Sequence, residues 1–162
     1  MMFNIRIFVL VLAAVNGLGG KTVDLMKYQK RGLYFGHMIS CETGRSFFDY
    51  LNYGCFCGLG GAGTPVDDLD TCCFKHDKCY DDLHTKKICH LKTSVYLITY
   101  KYSGCSTCSK PSEYSWWDSF GLESSECRHA LCECDAVAAR CFRKAGFNDR
   151  FNNYDQAKCN HN

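Results

Sequence analysis

The segment Asp70-Thr-Cys-Cys-Phe-Lys-His76-Asp77-Lys-Cys79-Tyr80 decides the fold of this chain. Its cysteines, histidine and tyrosine recur every three or four residues, so they occupy neighbouring faces of two helical turns. Disulfides formed from these faces would fasten the helix to its surroundings and hold His76 rigidly. The segment therefore predicts a helix that fixes a reactive imidazole, although a surface histidine beside a surface acid is the simpler interpretation.

The cysteine content points to an oxidising compartment. The chain has 14 cysteines among 162 residues, an even number that permits seven disulfides, and this density is typical of secreted domains. Oxidation consumes thiolates, and adjacent cysteines suit tetrahedral geometry poorly, so a zinc site at Cys72, Cys73 and His76 is disfavoured. The 19 basic and 17 acidic residues are too balanced for a nucleic-acid-binding protein.

The N-terminal residues predict export to the extracellular space. Arg6 precedes the apolar run 7–15, and small residues follow it, which is the pattern of a signal peptide over residues 1–20. A pro-segment is expected over residues 21–31, ending at the dibasic pair Lys30-Arg31, with an ordinary solvated basic pair as the alternative. Cleavage there removes five basic residues and one acidic residue, which leaves a single domain over residues 32–162 with a formal charge of −2.

Patterns elsewhere in the chain predict a mainly helical domain. Helical spacing or helix signals predict helices at 33–39, 67–90 and 126–145. Alternating β-rich residues over 95–102 predict a strand or hairpin arm. The last sixteen residues are polar, and Cys159 is their only expected anchor.

A glycine-rich loop precedes the long central helix, with the sequence Tyr53-Gly-Cys-Phe-Cys-Gly58-Leu-Gly60-Gly61-Ala-Gly63-Thr-Pro65. Glycine adopts backbone angles that are closed to other residues, so carbonyl oxygens in such a loop can converge on one point. Converging carbonyls and one carboxylate form an oxygen cage that suits Ca²⁺. Taken alone, the pattern is more typical of a flexible glycine turn.

This loop, the Cys-Cys-x-x-His-Asp-x-Cys-Tyr block and the later Cys132-Glu-Cys134-Asp135 follow one another in a specific order. Together they closely resemble the secreted Ca²⁺-dependent phospholipases A2 of the pancreatic and venom type, over essentially all of residues 32–159. The resemblance implies a mainly α, disulfide-rich fold. Its expected parts are two long antiparallel disulfide-linked helices, a short N-terminal helix, a Ca²⁺-binding loop and a small β-wing.

The same resemblance implies the catalytic residues. His76 would be the general base that takes a proton from water, and Asp135 would bond the other imidazole nitrogen and fix its tautomer. Tyr80 and Tyr100 would support Asp135. The implied reaction is hydrolysis of the sn-2 ester of a glycerophospholipid, which gives a lysophospholipid and a free fatty acid.

The resemblance also implies Ca²⁺ as the cofactor. Asp77 would bind the ion through both carboxylate oxygens, together with the backbone carbonyls of Phe56, Gly58 and Gly60. The Gly58 N–H would join the metal in stabilising the oxyanion.

Seven disulfides follow from the resemblance in the same way, and together they use every cysteine of the chain. The implied pairs are Cys41–Cys105, Cys55–Cys159, Cys57–Cys73, Cys72–Cys141, Cys79–Cys134, Cys89–Cys127 and Cys108–Cys132. The segment 109–126 is longer than the usual family connection, so we expect a remodelled β-wing.

The expected partner is a phospholipid membrane or micelle surface. Leu33, Tyr34, Trp116 and Trp117 are the candidate interfacial residues, because amphipathic rings favour a lipid interface. The alternative for the two tryptophans is that they fill the core of the longer wing. An alternative function is a non-enzymatic toxin or receptor-binding protein on the same scaffold, with a protein receptor as its partner.

Overall fold

The computed structural model describes residues 33–58, 60–92, 97–118 and 123–159. The expected signal peptide and pro-segment lie outside these residues. The main elements in the described part are α1 (33–43), α2 (Asp68–Thr85), β1 (Tyr102–Ser103), β2 (Thr107–Cys108) and α3 (Ser125–Ala145). Short 3-10 turns lie at Phe47–Tyr50, Pro111–Glu113, Asp149–Phe151 and Gln156–Lys158. No helix in the described ranges has the length and apolar character needed to cross a membrane.

Side-chain caps begin both long helices. Asp67 accepts a hydrogen bond from the Asp70 N–H at the start of α2, and Ser124 accepts one from the Cys127 N–H at the start of α3. Each cap satisfies an amide that has no partner within its own helix. Gly146, with φ of 74°, follows the last turn of α3. The predicted start of α2 and the predicted glycine stop of α3 are therefore confirmed.

Disulfides join α2 and α3 into an antiparallel pair. Cys72, early in α2, is bonded to Cys141, late in α3, whereas Cys79 is bonded to Cys134. The later cysteine of α2 is bonded to the earlier cysteine of α3, so the two helices run in opposite directions. This pair forms the rigid centre of the fold, as the resemblance implied.

All seven expected disulfides are present, and no cysteine is free. The pair Cys55–Cys159 spans 104 residues and ties the C-terminal segment to the glycine-rich loop. In the chain-entropy model, a cross-link over about 100 residues stabilises the folded state by roughly 4–5 kcal/mol. Small domains of this kind rely on such cross-links to supplement a limited apolar core.

The core packs α1 against the helix pair. Met38, Leu69 and Leu131, one from each helix, are almost completely buried. The predicted apolar face of α1 is confirmed, since Ile39 is buried and Phe35 packs against the same core. Full burial of each aliphatic side chain contributes about 1.5–3 kcal/mol.

The long central helix is shorter than the sequence predicts, because α2 ends at Thr85 and not near His90. Lys87 adopts a left-handed backbone conformation with φ of 55°, and its N–H bonds back to the His84 carbonyl. The following segment then turns toward the Cys89–Cys127 disulfide. The left-handed conformation of Lys87 reverses the backbone and ends the helix. The charged residues of this segment keep helical spacing, so the sequence does not indicate the reversal.

The predicted strand at 95–102 is wrong for residues 97–101 and right only for Tyr102 among its described residues. The antiparallel ladder begins at Tyr102, which pairs with Cys108, while residues 98–101 are irregular. Side chains bind the backbone here, since Arg128 donates to the Thr99 carbonyl and the Lys101 N–H donates to the Tyr114 hydroxyl. Residues 95 and 96 lie outside the described part. A small β-wing is present, as expected, but its ladder is only two residues long.

The C-terminal segment has more anchors than Cys159, which corrects the expectation of a single one. The Tyr154 N–H donates to the Asn52 carbonyl at 2.9 Å, and the Gln156 amide donates to the Gly54 carbonyl at 2.8 Å. The Phe151 carbonyl accepts from the Gly54 N–H at 3.0 Å. These hydrogen bonds connect distant segments, so local polarity could not reveal them.

Candidate active site

The helix pair brings His76 of α2 to Asp135 of α3. Imidazole Nε2 lies 2.6 Å from Asp135 Oδ1, and both residues are buried, with exposed fractions of 5% and 2%. The helix carrying each residue is fixed to the other by the Cys79–Cys134 disulfide. A hydrogen bond at Nε2 assigns the proton of the neutral ring to that nitrogen and leaves Nδ1 as the basic atom.

Two tyrosines complete the surroundings of the Asp135 carboxylate. The Tyr80 hydroxyl donates to Oδ1, which the imidazole also contacts, and the Tyr100 hydroxyl donates to Oδ2. A buried carboxylate is tolerated when hydrogen bonds replace its lost hydration. The structure thus brings together all four residues that the sequence places in this part of the site.

Burial raises the pKa of Tyr100 well above its ordinary value, and the neighbouring Asp135 carboxylate adds to the effect. The phenol therefore stays protonated throughout the physiological range and keeps donating to Asp135. A permanent donor at Oδ2 holds the carboxylate in one orientation toward His76.

An apolar cavity lies directly against the imidazole. Its lining includes His76, Asp77 and Gly58 together with apolar side chains, namely Phe35, Ile39, Phe47, Tyr50, Leu51, Phe56 and Phe142. An apolar cavity with a few convergent polar groups is the usual form of a site for a small or lipidic ligand. The arrangement can hold an acyl chain with its polar end beside the histidine.

Phe35 is a site residue that the sequence analysis missed. Its ring stacks on the imidazole of His76, with a centroid distance of 4.3 Å and an interplanar angle of 22°. The helical apolar spacing of α1 indicated that Phe35 faces inward, but it could not identify the ring on which it packs. This contact covers one face of the imidazole and restricts its rotation.

Asp70 is a second missed residue, and it organises the glycine-rich loop. Its carboxylate is completely buried and accepts from the N–H groups of Cys55, Phe56 and Val66 at 2.7–2.9 Å. Gly54, at φ of 57°, approaches so closely that a Cβ there would lie 2.4 Å from Asp70 Cγ. The available signal was an acid in the first turn of the helix that directly follows the loop.

The predicted metal ligands lie on this loop and on α2. Gly58 and Gly60 have φ of 140° and 73°, and Gly58 shares a cavity lining with Asp77. Within the described ranges, no three His, Cys, Asp or Glu side chains converge as a metal site. A cation held here would therefore depend on backbone carbonyls and Asp77, an all-oxygen donor set that fits a hard cation such as Ca²⁺.

The candidate interfacial residues differ in their surroundings. Leu33, Trp116 and Trp117 are 70%, 60% and 68% exposed, so the alternative in which the tryptophans fill the wing core is wrong. The two indole rings contact each other, with centroids 3.8 Å apart. Tyr34 is partly buried, because its ring packs on Tyr100 with centroids 5.2 Å apart.

Comparison with known proteins gives consistent matches over most of the chain. The family model described as Phospholipase A2 matches residues 33–152. A protein named Phospholipase A2 from Bos taurus is 40% identical over 158 residues, covering 93% of this chain and 98% of its own length. Basic phospholipase A2 1 from Naja melanoleuca is 41% identical over 130 residues, covering 77% of this chain and 96% of its own.

A third relative gives a similar match. Phospholipase A2 A2-hormotoxin-Apt1a from Adamsia palliata is 39% identical over 135 residues, covering 80% of this chain and 78% of its own. The matched region includes the glycine-rich loop, both long helices and every site residue described above. This chain belongs to the phospholipase A2 family and is a lipid-hydrolysing enzyme.

Proposed function

We propose that this enzyme is a secreted, Ca²⁺-dependent phospholipase A2 that hydrolyses the sn-2 ester of glycerophospholipids with a water activated by His76 and Asp135. The observation that carries the proposal is the His76–Asp135 hydrogen bond beside an apolar cavity that also contains Asp77 and Gly58. Secretion is supported by seven disulfides without a free cysteine.

The reaction begins with proton transfer to His76. Nδ1 removes a proton from water as the oxygen attacks the sn-2 carbonyl carbon, and the resulting imidazolium keeps its Nε2–H on Asp135. The Gly58 N–H donates to the oxyanion that forms on the carbonyl oxygen. The imidazolium then returns the proton to the departing glycerol oxygen, which yields a lysophospholipid and a fatty acid.

The residues that would hold Ca²⁺ are Asp77 and the backbone carbonyls of Phe56, Gly58 and Gly60. Bound there, the ion would supply Lewis-acid polarisation of the ester carbonyl. Asp70 supports these ligands through the backbone of the loop, since it bonds the N–H of Phe56 at 2.7 Å.

Contact with aggregated lipid is proposed for the exposed apolar residues. Leu33, Trp116 and Trp117 present their side chains to solvent, and indole rings are favoured at the boundary between headgroups and acyl chains. Vesicle binding that is unchanged in Trp117→Ala would contradict this contact.

The non-enzymatic alternative is not favoured, because the base and its carboxylate partner are both present in hydrogen-bonding geometry.

The proposal is tested with Asp77→Lys, compared with Asp81→Lys as the matched control. Both changes reverse a charge on α2, but Asp81 is exposed and does not line the cavity. We expect Asp77→Lys to abolish sn-2 fatty acid release from phosphatidylcholine vesicles and to abolish Ca²⁺ binding in calorimetry. A chelator should have the same effect on the wild type, whereas Asp81→Lys should retain both properties.

Two results would contradict parts of the proposal separately. Undiminished hydrolysis by the wild type in excess chelator would remove the Ca²⁺ requirement. Calcium binding by Asp77→Lys with wild-type affinity would show that the ion is held elsewhere, whatever the activity of the variant.

A further inference from the structure

Three tyrosine rings form a cluster beside the catalytic carboxylate, here called the tyrosine triad. Its members are Tyr34 of α1, Tyr102 of β1 and Tyr100, which lies just before β1. Ring centroids are 5.2 Å apart for Tyr34–Tyr100, 6.1 Å for Tyr34–Tyr102 and 5.9 Å for Tyr100–Tyr102. All three angles between ring planes lie between 54° and 72°, the tilted geometry that aromatic pairs prefer.

One member of the triad contacts Asp135 directly. Tyr100 donates to Oδ2, whereas Tyr80 and His76 both contact Oδ1. The Tyr100 hydroxyl therefore holds the second carboxylate oxygen. Rotation of the carboxylate would change the angle at which Oδ1 meets the imidazole.

The backbone on each side of Tyr100 is held mostly by side chains, with one backbone hydrogen bond from the Ser109 N–H to the Lys101 carbonyl at 3.0 Å. Arg128 bonds the Thr99 carbonyl, and Tyr114 accepts from the Lys101 N–H. These bonds fix the main chain but not the phenol ring, whose position depends on its packing partners. Of those partners, Tyr34 has the shortest centroid distance to it within the triad.

A polar contact docks α1 beside the same rings. The Tyr102 hydroxyl and His37 Nδ1 are joined by a hydrogen bond of 2.9 Å, and His37 follows Tyr34 by three residues on α1. Residues three apart occupy one side of a helix. Both side chains thus attach α1 to the start of the wing, and Tyr34 is placed against Tyr100.

We propose that Tyr34 is a positioning residue, whose ring holds the Tyr100 phenol against Asp135 and so aligns the carboxylate with His76. The inference rests on the proposed function, because it assigns Tyr34 a role in the water activation described above. It differs from the expected interfacial role, in which the Tyr34 ring would contact lipid instead of Tyr100.

The test uses a short-chain phosphatidylcholine below its aggregation concentration, so that no lipid interface contributes. We expect Tyr34→Ala to lower kcat about 10-fold with little change in KM, since a small misalignment of catalytic groups is costly. Tyr34→Phe keeps the ring and should restore kcat close to the wild-type value. Near-ultraviolet circular dichroism and thermal unfolding of each variant check that the disulfide-linked fold is retained.

A double-mutant cycle with Tyr100→Phe tests whether the loss of kcat in Tyr34→Ala is transmitted through the Tyr100 hydroxyl. Tyr34→Ala should cost much less in the Tyr100→Phe background, because the hydroxyl that it positions is already absent. An equal loss of kcat in both backgrounds would overturn the inference. An unchanged kcat for Tyr34→Ala on this substrate, with weaker binding to vesicles, would overturn it in favour of the interfacial role.

Failure of the underlying function would appear in a different variant. On the same substrate, His76→Gln should lose far more activity than the ~10-fold loss of kcat expected for Tyr34→Ala. If His76→Gln retained the wild-type rate, the water-activation mechanism itself would be wrong. If His76→Gln lost activity while Tyr34→Ala and wild type had equal kcat, only the positioning role would be wrong.

Discussion

The glycine-rich loop and the helix pair each bury one carboxylate, and they surround it with different donors. Asp70, under the loop, accepts from three backbone N–H groups, whereas Asp135, between the helices, accepts from an imidazole and two phenols. Backbone amides neither titrate nor rotate away, so Asp70 is suited to holding a shape. Side-chain donors can exchange protons, so Asp135 is suited to a reaction.

The largest expected effect tests the reactive region alone. His76→Gln preserves a hydrogen-bonding amide but has no basic nitrogen, and we expect the rate of sn-2 hydrolysis to fall by about 10²–10⁴-fold or more. Calcium affinity, measured by calorimetry, should remain close to that of the wild type, because the loop is untouched. His84→Gln is the matched control, since His84 is an exposed histidine on the same helix.

Wild-type turnover by His76→Gln would show that another group activates the water. Loss of calcium affinity in this variant would show instead that the two regions are not independent.

An intermediate effect is expected from Asp70→Asn, which tests the loop alone. An amide has one acceptor oxygen in place of two, so at least one of the N–H groups from Cys55, Phe56 and Val66 loses its partner. The free energy of unfolding should fall by about 1–3 kcal/mol in denaturant titrations. Calcium affinity should fall about 10-fold or more, as it does when outer partners of metal ligands are removed.

Excess Ca²⁺ should restore much of the activity of Asp70→Asn, because the base and its carboxylate remain intact. Asp68→Asn, an exposed acid in the same helical turn, provides the control. A loss of activity that no calcium concentration relieves would show that Asp70 supports the chemistry and not only the loop.

The smallest expected effect is a change in the free energy of unfolding at alkaline pH. Burial and Asp135 raise the pKa of Tyr100, and burial with Asp67 raises the pKa of Tyr53 beside the loop. A folded-state pKa above the unfolded value of about 10 gives stability that is present below pH 10 and lost as the pH rises further. The free energy of unfolding should therefore decline above pH 10.

Tyr100→Phe isolates the part of this alkaline loss of stability that arises beside Asp135. Each such tyrosine contributes up to about 1.4 kcal/mol per pH unit above its unfolded pKa. Unfolding titrations between pH 9 and 11 should show a smaller slope for Tyr100→Phe than for the wild type. Identical slopes would show that Tyr100 contributes nothing to the alkaline sensitivity.

Much of the site was predictable from the sequence because its signals are local. The three- and four-residue spacing around His76 indicated the helix, and the glycine pattern at Gly58 and Gly60 indicated an unusual backbone. The disulfide pairs followed from resemblance to a known family, not from spacing. Asp70 was missed because an acid at the start of a helix is ordinarily a cap, and nothing local distinguishes one that points under a preceding loop.

Local patterns in the sequence were enough to locate the three helices and the glycine-rich loop, though not the end of α2, since periodicity and turn chemistry depend on neighbours in the chain. Long-range packing places Tyr34 against Tyr100 and stacks Phe35 on His76, and the wing ladder begins at Tyr102. The two ring contacts join residues that are distant in sequence. Their partners are selected by packing density and by the need of buried polar groups for hydrogen bonds, which no local pattern records.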